Sequence, residues 1–334
     1  MSKEVYATFV LPAPNGCNLD CPYCVIAQRE EARQSVLTDS DYVRFLTGIL
    51  ADLPVKRFAI QGYEPLLPEV WPLTKSLLKI AGQFLCESTV ITNGTYLADH
   101  AKELGGFPGL VDSLTVSLDS ANARVHDKLR RKAGCFDAAL AGIRAVAHDF
   151  KGELLVNSVL LPGRASYLEG MPELLASLGV REWAVSPLIS VNKEIKVAHG
   201  EELKEDLLRL SSRAGTYGIK VFLSDELRLT AGNDLFEDFY VRSLGTNEEI
   251  FRLSPDGSCS RGVEVLGPSL AVPKWDGKEV PAEFVARIFG DVGSTVRKRS
   301  PLARALARGH ADRVVHSIER RRFHGCGFRW KDFA

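Results

Sequence analysis

An alternation of short β-branched or apolar runs with amphipathic stretches of helical period runs through the first two-thirds of this 334-residue chain, and it restricts the fold more than any other feature. Such a rhythm specifies βαβ units, and therefore a parallel sheet covered by helices. Strands are predicted near 6–11, 55–61, 88–92, 113–118, 153–161 and 181–187. Helices are predicted over 67–81, 96–104, 136–149, 167–178 and 200–215. A further helix starts at Thr38, where Asp41 completes a capping-box pattern and Tyr42, Phe45, Leu46, Ile49 and Leu50 repeat at helical spacing. Six strands and six helices predict an α/β fold, a partial (β/α)6 TIM-like barrel. Near residue 220 the rhythm changes to a strand-like run (Lys220 to Leu223), a Pro-Asp-Gly turn at 255–257 and an arginine-rich end. We therefore expect a core over 1–220 and a small C-terminal α+β cap over 221–334 that closes on the substrate. Within that cap Ser300-Pro301 reads as an N-cap with proline at the first helical position, starting a helix through Ile318.

Composition narrows the class. Hydrophobic residues at 45% and charged residues at 25% are globular values, and 42 basic against 42 acidic residues leave no global field for nucleic acid or an anionic membrane. The neutral total is uneven, because residues 291–334 hold 11 basic and 4 acidic side chains, net +7. No 18-residue uncharged apolar stretch occurs and Met1 to Pro14 lacks a secretory pattern, so a cytoplasmic protein without a membrane span is expected.

Three of the seven cysteines, Cys17, Cys21 and Cys24, fall within eight residues as Cys-x3-Cys-x2-Cys, directly after the first predicted strand. Crowding and an odd total suit metal ligation in a reducing compartment better than a disulfide framework. Three thiolates on a βα loop can hold three irons of a four-iron cluster, leaving one iron open to a ligand. A structural zinc knuckle would want a fourth ligand nearby.

With Tyr23 just before the third cysteine, this segment resembles the radical S-adenosylmethionine (SAM) superfamily. Other segments follow that family's order. Gly62-Tyr63-Glu64-Pro65 resembles its Gly-Gly-Glu-Pro motif, with tyrosine replacing the second glycine. Thr92-Asn93-Gly94 closes the third strand, and Ser117-Leu118-Asp119 closes the fourth, followed by His126, Arg130 and Gly134-Cys135-Phe136. The resemblance covers about 1–190. It implies one [4Fe-4S] cluster on Cys17, Cys21 and Cys24, and SAM bound by Tyr23, Gly62, Glu64, Pro65, Asn93, Ser117, Asp119, Arg130 and Asn157. Of these, Glu64 would receive the SAM ammonium, Ser117 and Arg130 its carboxylate, and Asn157 the ribose. The plain alternative for Arg130 is a solvated helix-face charge beside Lys128, Arg131 and Lys132.

Ser254-Pro255-Asp256-Gly257-Ser258-Cys259 resembles the entry to the auxiliary-cluster extension of some family members. Only Cys259 and Cys326 lie downstream, so a second ordinary cluster is not expected; Cys86 and Cys135 read as small buried residues. A thiol on a turn at the barrel mouth can return a hydrogen atom to a substrate radical, which makes Cys259 the candidate catalytic donor. The reading is a radical SAM enzyme that abstracts hydrogen from a small polar, potentially anionic substrate such as a sugar, aminocyclitol or nucleoside. Redox-neutral epimerisation leads; dehydrogenation, decarboxylation and peptide modification are the alternatives, and a non-enzymatic iron–sulfur or zinc protein is the alternative class. Flavodoxin or ferredoxin is the expected reductant, and no nucleic-acid partner is expected.

Overall fold

The computed structural model describes residues 4–13, 16–24, 35–106, 111–161, 165–188, 201–224, 240–242, 248–261 and 274–288. Its strands are β1 (Glu4–Leu11), β2 (Val55–Gly62), β3 (Glu87–Thr92), β4 (Ser113–Ser117), β5 (Glu153–Leu160), β6 (Glu182–Pro187), β7 (Lys220–Ser224), β8 (Tyr240–Arg242), β9 (Glu248–Leu253) and β10 (Cys259–Arg261). The described helices are α1 (Asp39–Asp52), α2 (Trp71–Gln83), α3 (Leu97–Gly106), α4 (Ala123–Arg130), α5 (Cys135–Ala147), α6 (Met171–Ser177), α7 (Glu201–Thr216) and α8 (Pro281–Ile288). All strands share one sheet in the order β10-β9-β1-β2-β3-β4-β5-β6-β7-β8. Pairing is parallel from β9 through β8, and β10 alone among them runs antiparallel.

The expected partial barrel is therefore present as β1 to β6, with helices following the strands. Beyond residue 221, β9 and β10 extend the sheet beside β1 while β8 extends it beside β7, and α8 packs on α1. The predicted helix 300–318, the arginine-rich end, His324 and Cys326 lie outside the described residues.

α1 shows how local chemistry sets an element. The Thr38 hydroxyl accepts from Asp41 N, and the Asp41 carboxylate accepts from Thr38 N at 2.9 Å, so two orphan donors are satisfied reciprocally. Its apolar stripe buries Tyr42, Phe45, Leu46, Ile49 and Leu50. Alternate β1 residues Val5, Ala7, Phe9 and Leu11 meet that stripe in one core. Phe9 packs edge-on to Phe45 and Phe58, and the Tyr42 hydroxyl donates to Val10 O at 2.8 Å.

Three elements depart from the periodicity reading, one of them α6, which starts at Met171 instead of 167, after a short 3-10 turn over Ala165–Leu168. α2 starts at Trp71 instead of 67, with Pro72 in the first turn, where its missing N–H is harmless. α4 carries only three apolar residues in eight, too few for a helical signal. It is held instead by Asn122, whose side chain accepts from Val125 N, and by the inward burial of His126 and Arg130.

Candidate functional site

Parallel strands bring their C-terminal ends to one edge, where α/β barrels place their sites. Leu11, Gly62, Thr92 and Ser117 all end strands there, and the cysteine loop follows the first of them.

Cys17, Cys21 and Cys24 are half-buried. Cys17 Sγ donates to Tyr63 O at 3.1 Å and accepts from Leu19 N at 3.4 Å. Asn93 Nδ2 lies 3.8 Å from the same sulfur and 2.9 Å from Asn18 Oδ1, while Asn18 Nδ2 donates to Thr95 Oγ1 at 2.8 Å. Cys21 Sγ lies 3.9 Å from both the carbonyl and Nη1 of Arg130. The loop is thus tied to the ends of β2, β3 and α4.

Burial pushes the Cys17 thiol up to about 12 and raises that of Cys21, and the sulfurs are near enough to oppose one another's ionisation. Such thiols become thiolates only against a strongly positive centre. An all-thiol set with a guanidinium beside it fits a negatively charged iron–sulfur cluster.

Glu64 follows β2 and is buried. Its Oε1 accepts from Thr92 Oγ1 at 2.6 Å and Leu66 N at 3.0 Å, and its Oε2 accepts from Asn93 N at 2.7 Å. Pro65, also buried, gives its carbonyl to Thr74 Oγ1 at 2.8 Å. The tyrosine in this motif costs the backbone nothing: Gly62, at φ +145°, is the position requiring glycine, since a Cβ there would stand 2.7 Å from Leu11 N. Tyr63 presents its carbonyl to Cys17 regardless of its side chain.

Burial raises the Glu64 carboxyl to about 7, against three hydrogen bonds that favour the anion. Because the folded value lies above the unfolded 4.5, its contribution to stability is fully present below pH 4.5 and is lost as pH rises through about 7. Wild type is therefore expected to lose on the order of 3 kcal/mol relative to Glu64→Gln between pH 4 and 8. Urea unfolding of both proteins across that range measures it.

Across the loop, Asp119 and Arg130 form a buried ion pair, Nε to Oδ2 at 2.7 Å. Tyr23 donates its hydroxyl to the same Oδ2 at 2.5 Å, and Val159 N donates to Oδ1 at 3.0 Å. Burial alone would raise the Asp119 carboxyl, but the guanidinium and these donors outweigh it and hold it below the ordinary range. The guanidinium also stands 5.7 Å over the Tyr23 ring centroid. His126 Nδ1 accepts from Asp119 N at 3.1 Å, and burial lowers this imidazole to about 4, keeping it neutral. Arg130 is thus an inward-facing residue and its neighbours Lys128, Arg131 and Lys132 carry the exposed charge.

Ser117 and Asn157 sit opposite each other in the β4–β5 register. Asn157 Oδ1 accepts from Ser186 Oγ at 2.7 Å, which leaves its amide group as the donor, and the half-buried Ser117 hydroxyl has no partner among the described residues.

Cys259 is corrected by its position. It begins β10 opposite Leu253, is fully buried in the shared apolar core, and its thiol is raised by burial alone. The turn before it lies at the C-terminal edge, because β9 runs parallel to β1, and the antiparallel return of β10 directs the thiol into the core. Cys86 and Cys135 are buried, as read from the sequence. Asn18, Thr92 and Thr95 are site residues that sequence reasoning missed as contacts, since their partners are 28 to 77 positions away.

Residues 11–165 match the family model described as the Radical SAM superfamily. A probable GTP 3',8-cyclase of Methanopyrus kandleri is 31% identical over 189 residues, 56% of this chain and 58% of that protein. An AdoMet-dependent heme synthase of Methanosarcina barkeri is 32% identical over 136 residues, 39% of this chain and 36% of that protein. The chain spans about half the length of the curated relatives it matches. Among solved structures, Streptococcus suis SuiB bound to S-adenosylmethionine superposes with TM-score 0.61 at 14% identity, over 92% of this chain and 68% of that one. The same enzyme bound to precursor peptide SuiA gives TM-score 0.63 at 14% identity, over 88% and 67%. These two likenesses show the fold.

Proposed function

We propose that this chain is a radical SAM enzyme, with one [4Fe-4S] cluster and S-adenosylmethionine as cofactors, and that it cleaves SAM reductively to take a hydrogen atom from a small polar substrate. The observation that carries the reading is that the cysteine loop is held at the C-terminal edge of the sheet beside Glu64 and the Asp119–Arg130 pair, Cys17 bonding the Tyr63 carbonyl and Cys21 lying against Arg130.

In this proposal Cys17, Cys21 and Cys24 hold the cluster, which when bound supplies the electron that breaks the sulfonium of SAM to methionine and a 5'-deoxyadenosyl radical. The chain's own residues bind and orient. Asn93 and Asn18 fix the first cysteine, and Tyr23 fixes Asp119 and through it Arg130. Gly62, Glu64 and Pro65 form the turn that meets the SAM amino group. Ser117 and the Arg130 guanidinium suit a carboxylate, and the Asn157 amide suits a ribose hydroxyl. A charge-assisted contact to Arg130 would add to a group already held by Asp119, so little side-chain entropy remains to be lost on binding.

For the substrate we favour a nucleoside or nucleotide, a class supported by the similarity to GTP 3',8-cyclases. Epimerisation with Cys259 as donor loses its support, because a thiol sealed in the core cannot reach a substrate radical. A cytoplasmic site of action fits the six described cysteines, all free thiols. Anaerobic reconstitution followed by dithionite and SAM is the test, with about four irons per chain and formation of 5'-deoxyadenosine as the expected result. Tight zinc binding without SAM cleavage would overturn the proposal. Adding candidate nucleosides in deuterated water then separates redox-neutral inversion, which places solvent deuterium at the altered carbon, from cyclisation or oxidation.

A further inference from the structure

We infer that Thr74 on α2 and His100 on α3, two side chains of the helix layer, are positioning residues that aim the Glu64 turn at its ligand. The inference rests on the proposed function above, in which that turn meets the SAM amino group, and it assigns what holds the turn in place.

A peptide unit is planar, so a hydrogen bond to its oxygen also fixes the direction of its N–H. The Pro65–Leu66 unit is held at both ends: Thr74 Oγ1 donates to Pro65 O at 2.8 Å, and Leu66 N donates to Glu64 Oε1 at 3.0 Å. The next unit is held by His100 Nε2, 2.9 Å from Leu66 O. A carbonyl only accepts, so this ring nitrogen carries the hydrogen. With the planes on both sides of the Leu66 Cα pinned, the backbone cannot swing there without breaking one of these bonds. The Glu64 carboxylate is meanwhile tied to the end of β3 by Thr92 and Asn93. The turn is thus fixed by the sheet at one end and by two helices at the other.

The rest of the turn satisfies its carbonyls locally, Glu64 O accepting from Leu67 N at 3.4 Å and Leu67 O from Val70 N at 2.9 Å and Trp71 N at 2.7 Å. Only the two carbonyls flanking Leu66 are handed to side chains, which lie 9 and 34 positions away and belong to no motif. Both donors are themselves held. Thr74 is fully buried, and its N donates to Val70 O at 3.1 Å. The His100 ring stacks on Trp71, with centroids 4.4 Å apart and planes at 24°. Trp71 Nε1 in turn donates to Glu103 Oε1 at 3.3 Å, and Glu103 pairs with Lys75. Burial lowers the His100 imidazole below its ordinary value, so at neutral pH it is an uncharged donor.

The test uses the reconstituted chain with Thr74→Val and His100→Leu, which remove the donors, and Thr74→Ser and His100→Gln, which restore one at the same reach. Iron per chain should equal wild type in every variant. In Thr74→Val and His100→Leu the KM for SAM, read from 5'-deoxyadenosine formation with dithionite, is expected to rise about threefold to tenfold with kcat within about twofold, the signature of lost uniform binding. Thr74→Ser and His100→Gln should bring KM back to the wild-type value. A residue that only held the fold together would lower the amount of active protein, and so kcat, and leave KM alone. Urea unfolding gives a readout that needs no cofactor. Thr74→Val combined with Glu64→Gln should cost less than the sum of the two single changes, since both act on the Pro65–Leu66 peptide. Unchanged KM in Thr74→Val and His100→Leu, or additive losses in that cycle, would overturn the assignment. Absence of SAM cleavage by wild type would overturn the functional reading instead, and the unfolding cycle then decides the positioning by itself.

Discussion

Replacing Cys21 with alanine is expected to reduce iron in the anaerobically reconstituted protein from about four per chain to near zero, and 5'-deoxyadenosine formation to background. Two remaining thiolates cannot hold a four-iron unit, and among the described residues beside them Asn18, Asp20 and Asn93 are engaged with Thr95, Arg131 and Thr95. Cys17→Ala and Cys24→Ala should behave alike. Cys259→Ala is the contrasting variant. It should keep full iron and full radical formation, and lose only about 1 kcal/mol of stability from a small core cavity. Iron analysis, cluster absorbance and product chromatography on the four variants check this. Loss of product inversion in Cys259→Ala, with cleavage intact, would reinstate the thiol as a donor.

Arg130→Met is expected to cost about 3–5 kcal/mol of unfolding free energy, because it leaves Asp119 as an uncompensated charge with 1% of its side chain exposed. The remaining donors, Tyr23 Oη and Val159 N, cannot supply the lost opposite charge. The acid limb of stability gives an independent sign. In wild type the folded Asp119 carboxyl lies below its unfolded value of 3.8, so its stabilisation is present above 3.8 and is lost as pH falls through the folded value. Without Arg130, burial dominates and the carboxyl rises, so the variant should gain relative stability on acidification where wild type loses it. Pairing Arg130→Met with Asp119→Leu should cost less than the sum of the two single changes, since neither charge is then stranded. Urea unfolding from pH 3 to 7 measures both effects. Additive losses with parallel pH profiles would show that the pair is not the source of the stability.

Much of the barrel could be read from the chain because its signals are short in range. The Thr38–Asp41 capping box, the Tyr42 to Leu50 stripe and the β-branched runs each lie within a dozen residues, and each forms where the spacing predicts. The helix α4 could not be read that way. Half of its eight residues are charged, and its stability comes from a cap and from two polar side chains buried against elements far away in sequence.

The same division runs through the site. Three thiols at Cys-x3-Cys-x2-Cys spacing are a local property, and they bound the metal chemistry before any fold is known. Whether Arg130 faced solvent or Cys21, 109 positions distant, depended on how α4 packs behind the loop. Glu64 was legible as a motif residue, but two of its three donors, Thr92 Oγ1 and Asn93 N, come from the end of β3, which only the parallel sheet brings beside it. Cys259 looked like a mouth residue because a Pro-Asp-Gly turn precedes it. The pairing of β9 with β1, about 240 positions apart, set which way that turn delivered its thiol. Spacing dictates which groups a loop carries; the direction each group faces is a burial decision made by partners elsewhere in the chain, and only the folded sheet makes it.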